Sequence, residues 1–403
     1  AQTVEFSKAG SATPDLENLD QAIGRIMEDY QVPGGAFAMA KDGRLIHARG
    51  YGVACKENRE AVQSDSLFRI ASVSKPITAV AVLKLVEDGR LSLDDRAFQI
   101  VGHLQPLEGK EVDPRLRDIT IRHLLEHSAG WDRDRSFDPL YSPATTRHLS
   151  DGRLPASCEA ITRYMMGRRL DFPPGTEHAY SNLGYCVLGL IIEEVSGLPY
   201  ETYVQTEVLA AMGIKRMRVG GSLLQERYEG EVCYYDYPWA GSSRSVFPNE
   251  PNLVPQPYGS MYLEATAANG GWIASAVDLV RFVLSVDGHP MPPDILHPET
   301  IHLMVSLPDL PDWRDSDYYY ALGWEISSDD RGRIWSHDGA MPGTRSLLAV
   351  RSDGYAIALL FNSDPKSGGD FMGEVVEAIR QTVDGQTGWP TYDLFPQYYH
   401  SLQ

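Results

Sequence analysis

Apolar positions near the start of the chain follow first a helical and then a strand period. In segment 16–30 they recur every three or four residues, which predicts a helix over Leu16–Tyr30. Two short apolar runs follow, Ala36–Ala40 and Leu45–Ala48, and Asp42-Gly43 separates them. Asp-Gly between two apolar runs is typical of a β-hairpin. The chain is therefore predicted to open with a helix and two paired strands.

The middle of the chain has a helical period throughout. A glycine just after the last apolar position marks where such a helix ends. The predicted helices, with the glycines that end three of them, are Ser72–Asp88 (Gly89), Thr120–Ser128, Leu183–Ser196 (Gly197) and Tyr200–Met212 (Gly213).

The last part of the chain returns to strand pairs. One predicted hairpin joins Tyr320–Ser327 to Arg333–Ser336, and a second joins Arg345–Arg351 to Tyr355–Asn362. A final helix is predicted over Phe371–Val383, whose apolar residues lie on one face.

Strand pairs at both ends and helices between them indicate an α+β fold. Both termini are predicted to form one sheet flanked by helices, with a mostly helical lobe inserted. The predicted domains are residues 1–71 with 265–403, for the sheet, and residues 72–264, for the helical lobe. Two stretches fit neither pattern, Tyr234–Tyr258 and Val305–Tyr319. Each is either a lid over a functional site or an ordinary surface insertion.

Composition limits the partners more than the fold. The 403 residues include 36 Lys or Arg and 55 Asp or Glu, a formal net charge of −19. Such an acidic chain repels phosphate backbones, so nucleic acid is not an expected partner. No stretch reaches the ~18 uncharged apolar residues of a membrane span. The chain starts at Ala1, which fits a mature end left by signal cleavage; a secreted or periplasmic location is expected, and a cytoplasmic one stays open.

The four cysteines, Cys55, Cys158, Cys186 and Cys233, show neither close pairing nor metal-type spacing. They are predicted to be unpaired structural thiols. The sequence leaves a bridge such as Cys158–Cys233 open.

Candidate chemistry begins with Ser72-Val73-Ser74-Lys75 at the start of a predicted helix. Positions i and i+3 share a helix face, so the Lys75 amine can reach the Ser72 hydroxyl. The helix N-terminus favours negative charge, and an amine of lowered pKa can activate a serine. The spacing predicts Ser72 as a nucleophile, with a solvated first helical turn as the plain alternative.

A second segment, Tyr180-Ser181-Asn182, precedes another predicted helix. A tyrosine can act as an acid or a base if a nearby cation lowers its pKa. We expect Lys75 to be neutral or to share its proton, Tyr180 to lie within hydrogen-bond reach of Ser72, and a positive neighbour to lower the pKa of Tyr180. Asn182 can offer its amide to a substrate carbonyl. Taken alone, the segment is equally well explained as a core tyrosine followed by a helix cap.

A third segment, His337-Asp338-Gly339-Ala340, follows the predicted strand Arg333–Ser336. Gly339 lets a substrate backbone approach closely. The N–H of Ala340 can pair with that of Ser72 as an oxyanion hole. Taken alone, this segment also fits a turn between two strands.

Together the three segments resemble the motifs of the serine β-lactamase and penicillin-binding-protein superfamily, Ser-x-x-Lys, Ser-Asp-Asn and Lys-Thr-Gly, in the family's order. The second is Tyr-Ser-Asn here, as in the class C branch. The third has His337 in place of lysine, which looks like carboxylesterase, D-aminopeptidase and some DD-peptidase relatives. His337 is therefore expected to be a catalytic residue together with Ser72, Lys75 and Tyr180. Leu124–Gly130 and Ala268–Gly271 resemble further shared segments, and the resemblance covers roughly residues 18–385.

The resemblance implies both a fold and a mechanism. The fold is an antiparallel sheet from both termini beside a mostly helical lobe. In the mechanism Ser72 attacks a carbonyl and forms an acyl-enzyme, Lys75 and Tyr180 share the proton transfer, and water releases the acid without a cofactor. Which of these two residues is the base stays open. The residues expected to line the substrate pocket are Trp131, Trp239 and Trp313.

The expected substrate is a small ester, because a neutral His337 grips a carboxylate less well than a lysine does. A D-amino-acid peptide, a DD-peptidase substrate or slow β-lactam hydrolysis is the alternative. Transfer of the acyl group to an alcohol or amine, and the oligomeric state, are also open.

Two rival functions belong to other classes. His123-Leu124-Leu125-Glu126-His127 matches the inverted zinc-peptidase motif, with Glu193 or Glu201 as a third ligand. The same segment matches a superfamily helix, where no metal is expected. A member that only binds peptides is the other rival, although every catalytic position is filled. The chain has no Gly-x-Ser-x-Gly, which argues against an α/β-hydrolase.

Overall fold

Strands from both ends of the chain form one antiparallel sheet in the computed structural model, which describes residues 8–10, 13, 16–237, 240–365, 369–386 and 388–399. In chain order the strands are β1 Lys8–Ala9, β2 Gly34–Lys41, β3 Arg44–Cys55, β4 Glu60–Ala61, β5 Phe68–Arg69, β6 Arg218–Val219, β7 Ser243–Arg244, β8 Leu253–Val254, β9 Trp272–Ala274, β10 Tyr319–Tyr320, β11 Glu325–Asp329, β12 Gly332–Met341, β13 Thr344–Arg351 and β14 Tyr355–Phe361. The main sheet has the order β1-β3-β2-β14-β13-β12-β11-β10, with β4 beside β3. Because N-terminal β2 pairs with C-terminal β14, the prediction of an α+β fold with one sheet from both termini is confirmed.

Helices cover both faces of this sheet. The α-helices are α1 Glu17–Asp29, α2 Ser74–Glu87, α3 Ala97–Ile100, α4 Ile121–Leu125, α5 Pro143–His148, α6 Cys158–Met166, α7 Asn182–Ser196, α8 Tyr200–Tyr203, α9 Ala276–Leu284, α10 Pro298–Met304, α11 Phe371–Gly385 and α12 Phe395–Tyr398. Short 3-10 turns include Ala71–Val73, Ala210–Met212 and Pro311–Trp313.

One face of the sheet is covered by α1 and α11, which pack against each other. Leu19 and Ile23 of α1 and Val375 and Ile379 of α11 are buried in one apolar cluster with Phe37 of β2. Their spacing of three to four residues places them on one side of each helix. The amphipathic pattern therefore determines how both helices dock.

The other face of the sheet packs on α9, and the helical lobe is built around α2. Every side chain from Ser74 to Leu83 in α2 is buried, so this helix has no solvent face over that span. The turn Ala71–Val73, which leads into α2, contacts both β12 and β13. Ser72 thus lies where the lobe meets the sheet. The predicted domain boundaries at 71/72 and 264/265 stay a prediction.

Two predicted helices differ from what the structure contains. Thr120–Ser128 shortens to α4, because His127 turns the backbone to a φ of +58° and ends the helical path. Tyr200–Met212 begins as α8 and continues through π and 3-10 turns. Across the described residues no single helix has the length and apolarity of a membrane span, although α7 with Tyr200–Met212, bent by 73°, meets that test as a pair.

The strand predicted over Arg333–Ser336 is longer in the structure. β12 continues to Met341 because β13 pairs with it from Ile334 to Met341. His337–Ala340 therefore lies inside a strand and is not a turn after one. β11 pairs only with Gly332–Ser336, so in the described structure the second half of β12 has an open edge.

The two irregular segments contain little regular structure. Within 234–258 the structure has the short β7–β8 pair. Segment 305–319 connects α10 to β10 and contains the turn Pro311–Trp313. The buried Arg69 ties the first segment to the chain just before Ser72: its guanidinium donates to the carbonyl of Pro257 at 2.5 Å and of Gly221 at 2.9 Å. A lid function for either segment stays a prediction.

The prediction of four unpaired thiols is wrong. Cys55 is bridged to Cys233, and Cys158 is bridged to Cys186. The first bridge joins β3 to a segment 178 residues away, and the second joins the neighbouring helices α6 and α7. Sequence spacing gave no sign of either pair because each forms only after the fold brings distant elements together.

Candidate active site

Ser72 lies in the turn that leads into α2, and this turn is fixed from two sides. Ala71 has a φ of +47°, a strained backbone conformation for a residue with a side chain. The Ser346 hydroxyl of β13 donates to the Ile70 carbonyl at 2.7 Å. The strained turn is therefore held against the sheet immediately before the serine.

The Lys75 amine lies within hydrogen-bond distance of the serine hydroxyl. Its Nζ lies 3.1 Å from Ser72 Oγ and donates to Asn182 Oδ1 at 2.8 Å and to the Asn269 carbonyl at 2.9 Å. The side chain is fully buried. Helix geometry places Lys75 one turn after Ser72. Asn182 of α7 and Asn269, in the loop before β9, supply the two acceptors for the amine.

Burial lowers the pKa of Lys75 well below its usual range, because the charged ammonium loses its hydration. The charge of Arg133 lowers this pKa further, whereas Asp138, Asp338 and Glu325 oppose the shift. The direction agrees with the sequence expectation of a lysine that is neutral or shares its proton in the resting protein.

Tyr180 lies in the same environment, and its pKa shifts in the direction opposite to the one expected. Burial raises the pKa of Tyr180 well above its usual value, and a hydrogen bond with the Ser72 side chain only partly offsets this. The expected lowering of the Tyr180 pKa by a cation is therefore wrong in net direction. The loss of hydration that a buried phenolate would suffer outweighs its attraction to the Arg133 guanidinium.

Asn182 links the amine to a carboxylate that sequence reasoning missed. Its Oδ1 accepts from Lys75, and its Nδ2 donates to Asp138 Oδ2 at 2.6 Å. Asn182 is thus oriented by two partners at the start of α7. Asp138 lies in the loop after α4, and its position gave no local sequence signal.

His337 is buried, and both of its ring nitrogens already have partners. Nδ1–H donates to the Asp338 carbonyl at 2.7 Å, so the lone pair of Nε2 accepts the Tyr320 hydroxyl at 3.0 Å. Burial lowers the pKa of His337 to about 3, and the neighbouring Lys75 adds to this effect. The imidazole is therefore neutral near pH 7, and its ring centre lies 6.3 Å from that of Tyr180.

Gly339 is the point of closest approach between β12 and the serine turn. A Cβ at this position would lie 2.5 Å from the Ile70 carbonyl and 2.2 Å from Ser346 Oγ. Only glycine lets the strand pack this closely on the Ala71–Val73 turn. Ala340 follows on the open edge of β12; its pairing with the Ser72 N–H as an oxyanion hole stays a prediction.

The three tryptophans expected to line the pocket have different positions. Trp131 is 5% exposed and packs edge-on against Phe98 in the lobe core, so the structure does not place it on the cleft. Trp313 packs against His178 with ring centres 4.6 Å apart, in a small cluster that also contacts Tyr180. Trp313 is therefore part of the packing around Tyr180. Trp239 lies outside the described residues.

The predicted zinc motif does not form a ligand set. His123 accepts the Thr120 N–H through Nδ1 in a helix-capping arrangement. His127 accepts the Ser181 N–H through Nδ1 and stacks near the Tyr180 ring, with centres 4.3 Å apart. Because the chain leaves helical geometry at His127, the two histidines do not share a helix face. His127 instead supports the segment that carries Tyr180.

A pair of carboxylates, which sequence reasoning also missed, lies at the open edge of β12. Glu325, His337 and Asp338 each have one atom that could ligate a metal, and these three atoms lie within 4.8 Å of one another. Burial and the negative charge of Asp338 raise the pKa of Glu325 to about 7. Both His337 nitrogens are already occupied, so this group does not fit a metal ion as it stands. The two carboxyl groups give the open edge of β12 an acidic character.

Comparisons with known proteins agree with this arrangement. The Beta-lactamase family model matches residues 19–379. Penicillin-binding protein 4* of Bacillus subtilis is 26% identical, over 92% of this chain and 76% of its own length. A putative fimbrial assembly protein FimD of Dichelobacter nodosus is 25% identical, over 88% of this chain and 81% of its own length.

Solved structures extend the likeness to the fold. The octameric penicillin-binding protein homologue from Pyrococcus abyssi has a TM-score of 0.69 and 26% identity, over 92% of this chain and 78% of that one. D-amino acid amidase from Ochrobactrum anthropi (TM-score 0.66, 24% identity, 91% and 99% covered) and the hydrolase EstCE1 (0.69, 21%, 91% and 98%) share the fold. With its family match over most of the chain, the protein belongs to the beta-lactamase family, within the serine β-lactamase and penicillin-binding-protein superfamily.

Proposed function

We propose that the protein is a serine hydrolase that acts through an acyl-enzyme on Ser72. The observation that carries the proposal is the fully buried Lys75 amine, 3.1 Å from Ser72 Oγ, with a pKa held well below its usual range. A neutral amine at this distance can take the serine proton.

The opposite pKa shifts favour a division of labour in the first half of the reaction. Lys75 is the neutral base, and Tyr180 holds its proton. Ser72 Oγ attacks the substrate carbonyl carbon while its proton passes to the Lys75 amine. Tyr180 then gives its proton to the leaving group and receives the proton that Lys75 took from Ser72. The acyl group stays on Ser72 as the acyl-enzyme. Water attacks the ester carbonyl by the same route and releases the acid and Ser72.

We propose small uncharged esters as the preferred substrates. His337 is neutral where relatives carry lysine, and Asp338 with Glu325 adds negative charge at the open edge of β12. This combination disfavours the carboxylate that β-lactams and D-Ala-D-Ala peptides carry. EstCE1, a hydrolase with promiscuous acyltransferase activity, has the same fold and supports acyl-transfer chemistry on this scaffold.

D-amino-acid amides are the second candidate, because one observation favours them. The Glu325 and Asp338 carboxylates are close to each other, and a protonated substrate amine would relieve their repulsion. The D-amino acid amidase of the same fold acts on that class.

A substrate panel tests the proposal. The kcat/KM values of p-nitrophenyl esters, D-phenylalanine amide, a D-Ala-D-Ala peptide and nitrocefin are compared for wild type and Ser72→Ala. We expect short esters to lead, nitrocefin to be poor, and Ser72→Ala to lose both turnover and the acyl adduct seen by mass spectrometry. An adduct that persists in Ser72→Ala would reject the nucleophile. Nitrocefin turnover as fast as the best ester would reject the substrate preference.

A further inference from the structure

A guanidinium contacts the tyrosine of the site in addition to the Lys75 amine. The guanidinium carbon of Arg133 lies 4.6 Å from the centre of the Tyr180 ring, the same distance as Lys75 Nζ. Arg133 belongs to the loop after α4, and its side chain is exposed. Within the described residues it forms no ion pair.

The neighbouring Arg135 shows what an ordinary arginine does in this loop. It pairs with Asp132 at 3.1 Å and with Glu177 at 2.5 Å. Arg133, two residues before it, contacts an aromatic face instead. A guanidinium within about 6 Å of a ring centre is attracted by the ring's quadrupole.

We infer that Arg133 is a positioning residue of the proposed hydrolase, which holds the Tyr180 ring by stacking and keeps a fixed positive charge beside the Lys75 amine. The inference rests on the proposed function. An exposed arginine stays charged at all relevant pH values. A protonated Lys75 would place a second cation on the same ring, so the charge of Arg133 favours the neutral amine that the proposed mechanism needs.

The other charges around the two residues do not replace this effect. Lys75 is faced by the carboxylates Asp138, Asp338 and Glu325, all of which favour its protonated form, and burial is the main opposing cause. For Tyr180, burial raises the pKa, Arg133 lowers it, and the phenols of Tyr141 and Tyr185 raise it. The neutral His127 and His337 rings also surround Tyr180, and the Tyr320 ring lies edge-on to it with centres 6.1 Å apart. Arg133 is thus the fixed cation that lowers both pKa values.

The test compares Arg133→Gln, Arg133→Lys and the control Arg135→Gln with wild type. Two pH profiles are measured: the rate of Ser72 labelling by a fluorophosphonate, and kcat/KM for p-nitrophenyl butyrate. We expect Arg133→Gln to lower kcat/KM at neutral pH roughly 2- to 5-fold. The acid limb should move to higher pH, because removing the positive neighbour raises the Lys75 pKa. This difference should shrink at about 1 M salt, where screening shortens to ~3 Å.

Arg133→Lys retains the charge and should retain the wild-type pH profile, and Arg135→Gln should match wild type in both profiles. An acid limb that does not move in a well-folded Arg133→Gln overturns the inference. So does a loss confined to KM for p-nitrophenyl butyrate, which would make Arg133 a substrate-binding group. If wild type is never labelled at Ser72, the proposed function itself has failed, and this outcome is distinct from the other two.

Discussion

Lys75 and Tyr180 contact the same serine but respond to burial in opposite ways. Burial removes the charge from each, which leaves Lys75 neutral and Tyr180 protonated. Ser72 therefore has a base and an acid beside it at neutral pH. The two groups exchange the same proton in the proposed mechanism, so they titrate as a coupled pair.

This coupling predicts non-additive losses in single and double variants. Tyr180→Phe should lower kcat by about 10²- to 10⁴-fold, the usual effect of acid–base catalysis. Lys75→Met, which keeps the side-chain volume, should lose at least as much because the base is gone. The double variant should be little worse than Lys75→Met. Steady-state kinetics of the three proteins check this; losses that multiply would mean that the two residues act independently.

At this scale the sequence indicated what lies close along the chain. The Ser72–Lys75 contact follows from helix geometry alone. The Asn269 carbonyl, which accepts from Lys75 across 194 residues, has no side-chain signal. Arg133 and Asp138 lie in a loop whose path the sequence does not determine. The direction of the Tyr180 pKa was wrong because the extent of burial cannot be seen from residue types.

Among the elements, β12 carries the third motif against the serine turn, and Gly339 sets how close it comes. Gly339→Ala would place a methyl group 2.5 Å from the Ile70 carbonyl and 2.2 Å from Ser346 Oγ. Such overpacking costs typically ~1–3 kcal/mol and would move β12 away from Ser72. We expect a lower Tm and a large loss of kcat.

Gly24→Ala is the matched control for this substitution. A Cβ at Gly24, inside α1, meets no atom within 4 Å, so alanine should raise helix stability by about 0.5–1 kcal/mol without changing kcat. Thermal unfolding and ester kinetics of both variants check this. A Gly339→Ala protein with the Tm and kcat of wild type would contradict the tight packing of β12 on the turn.

The elements themselves were predictable where local pattern determines them. Amphipathic α1 and α11 and the hairpins β2–β3 and β13–β14 follow from spacing and turn residues. The extension of β12 through His337–Ala340 could not be predicted in this way, because it depends on pairing with β13. Likewise α4 ends early at the left-handed His127, for which the sequence contains no glycine as a signal.

At the scale of the whole molecule, one disulfide joins the sheet to a distant part of the chain, and a second lies within the lobe. Cys55–Cys233 joins β3 of the sheet to the start of the irregular segment 234–258, and Cys158–Cys186 joins two helices of the lobe. Disulfides persist in oxidising environments and are rare in the cytosol. We propose on this ground that the protein works in an oxidising compartment.

The last prediction concerns how much these bridges stabilise the fold. Closing long loops restricts the unfolded chain, and by loop entropy each bridge is worth roughly 3–5 kcal/mol. Replacing Cys55 and Cys233 by alanine should therefore lower Tm more than replacing Cys158 and Cys186, because its loop of 178 residues is much longer than the loop of 28. Non-reducing mass spectrometry after maleimide treatment of the native protein checks the pairing, and thermal unfolding with and without reductant checks the stability. Four maleimide adducts on protein made in an oxidising compartment, or a Tm that reductant does not change, would contradict both the bridges and the proposed location.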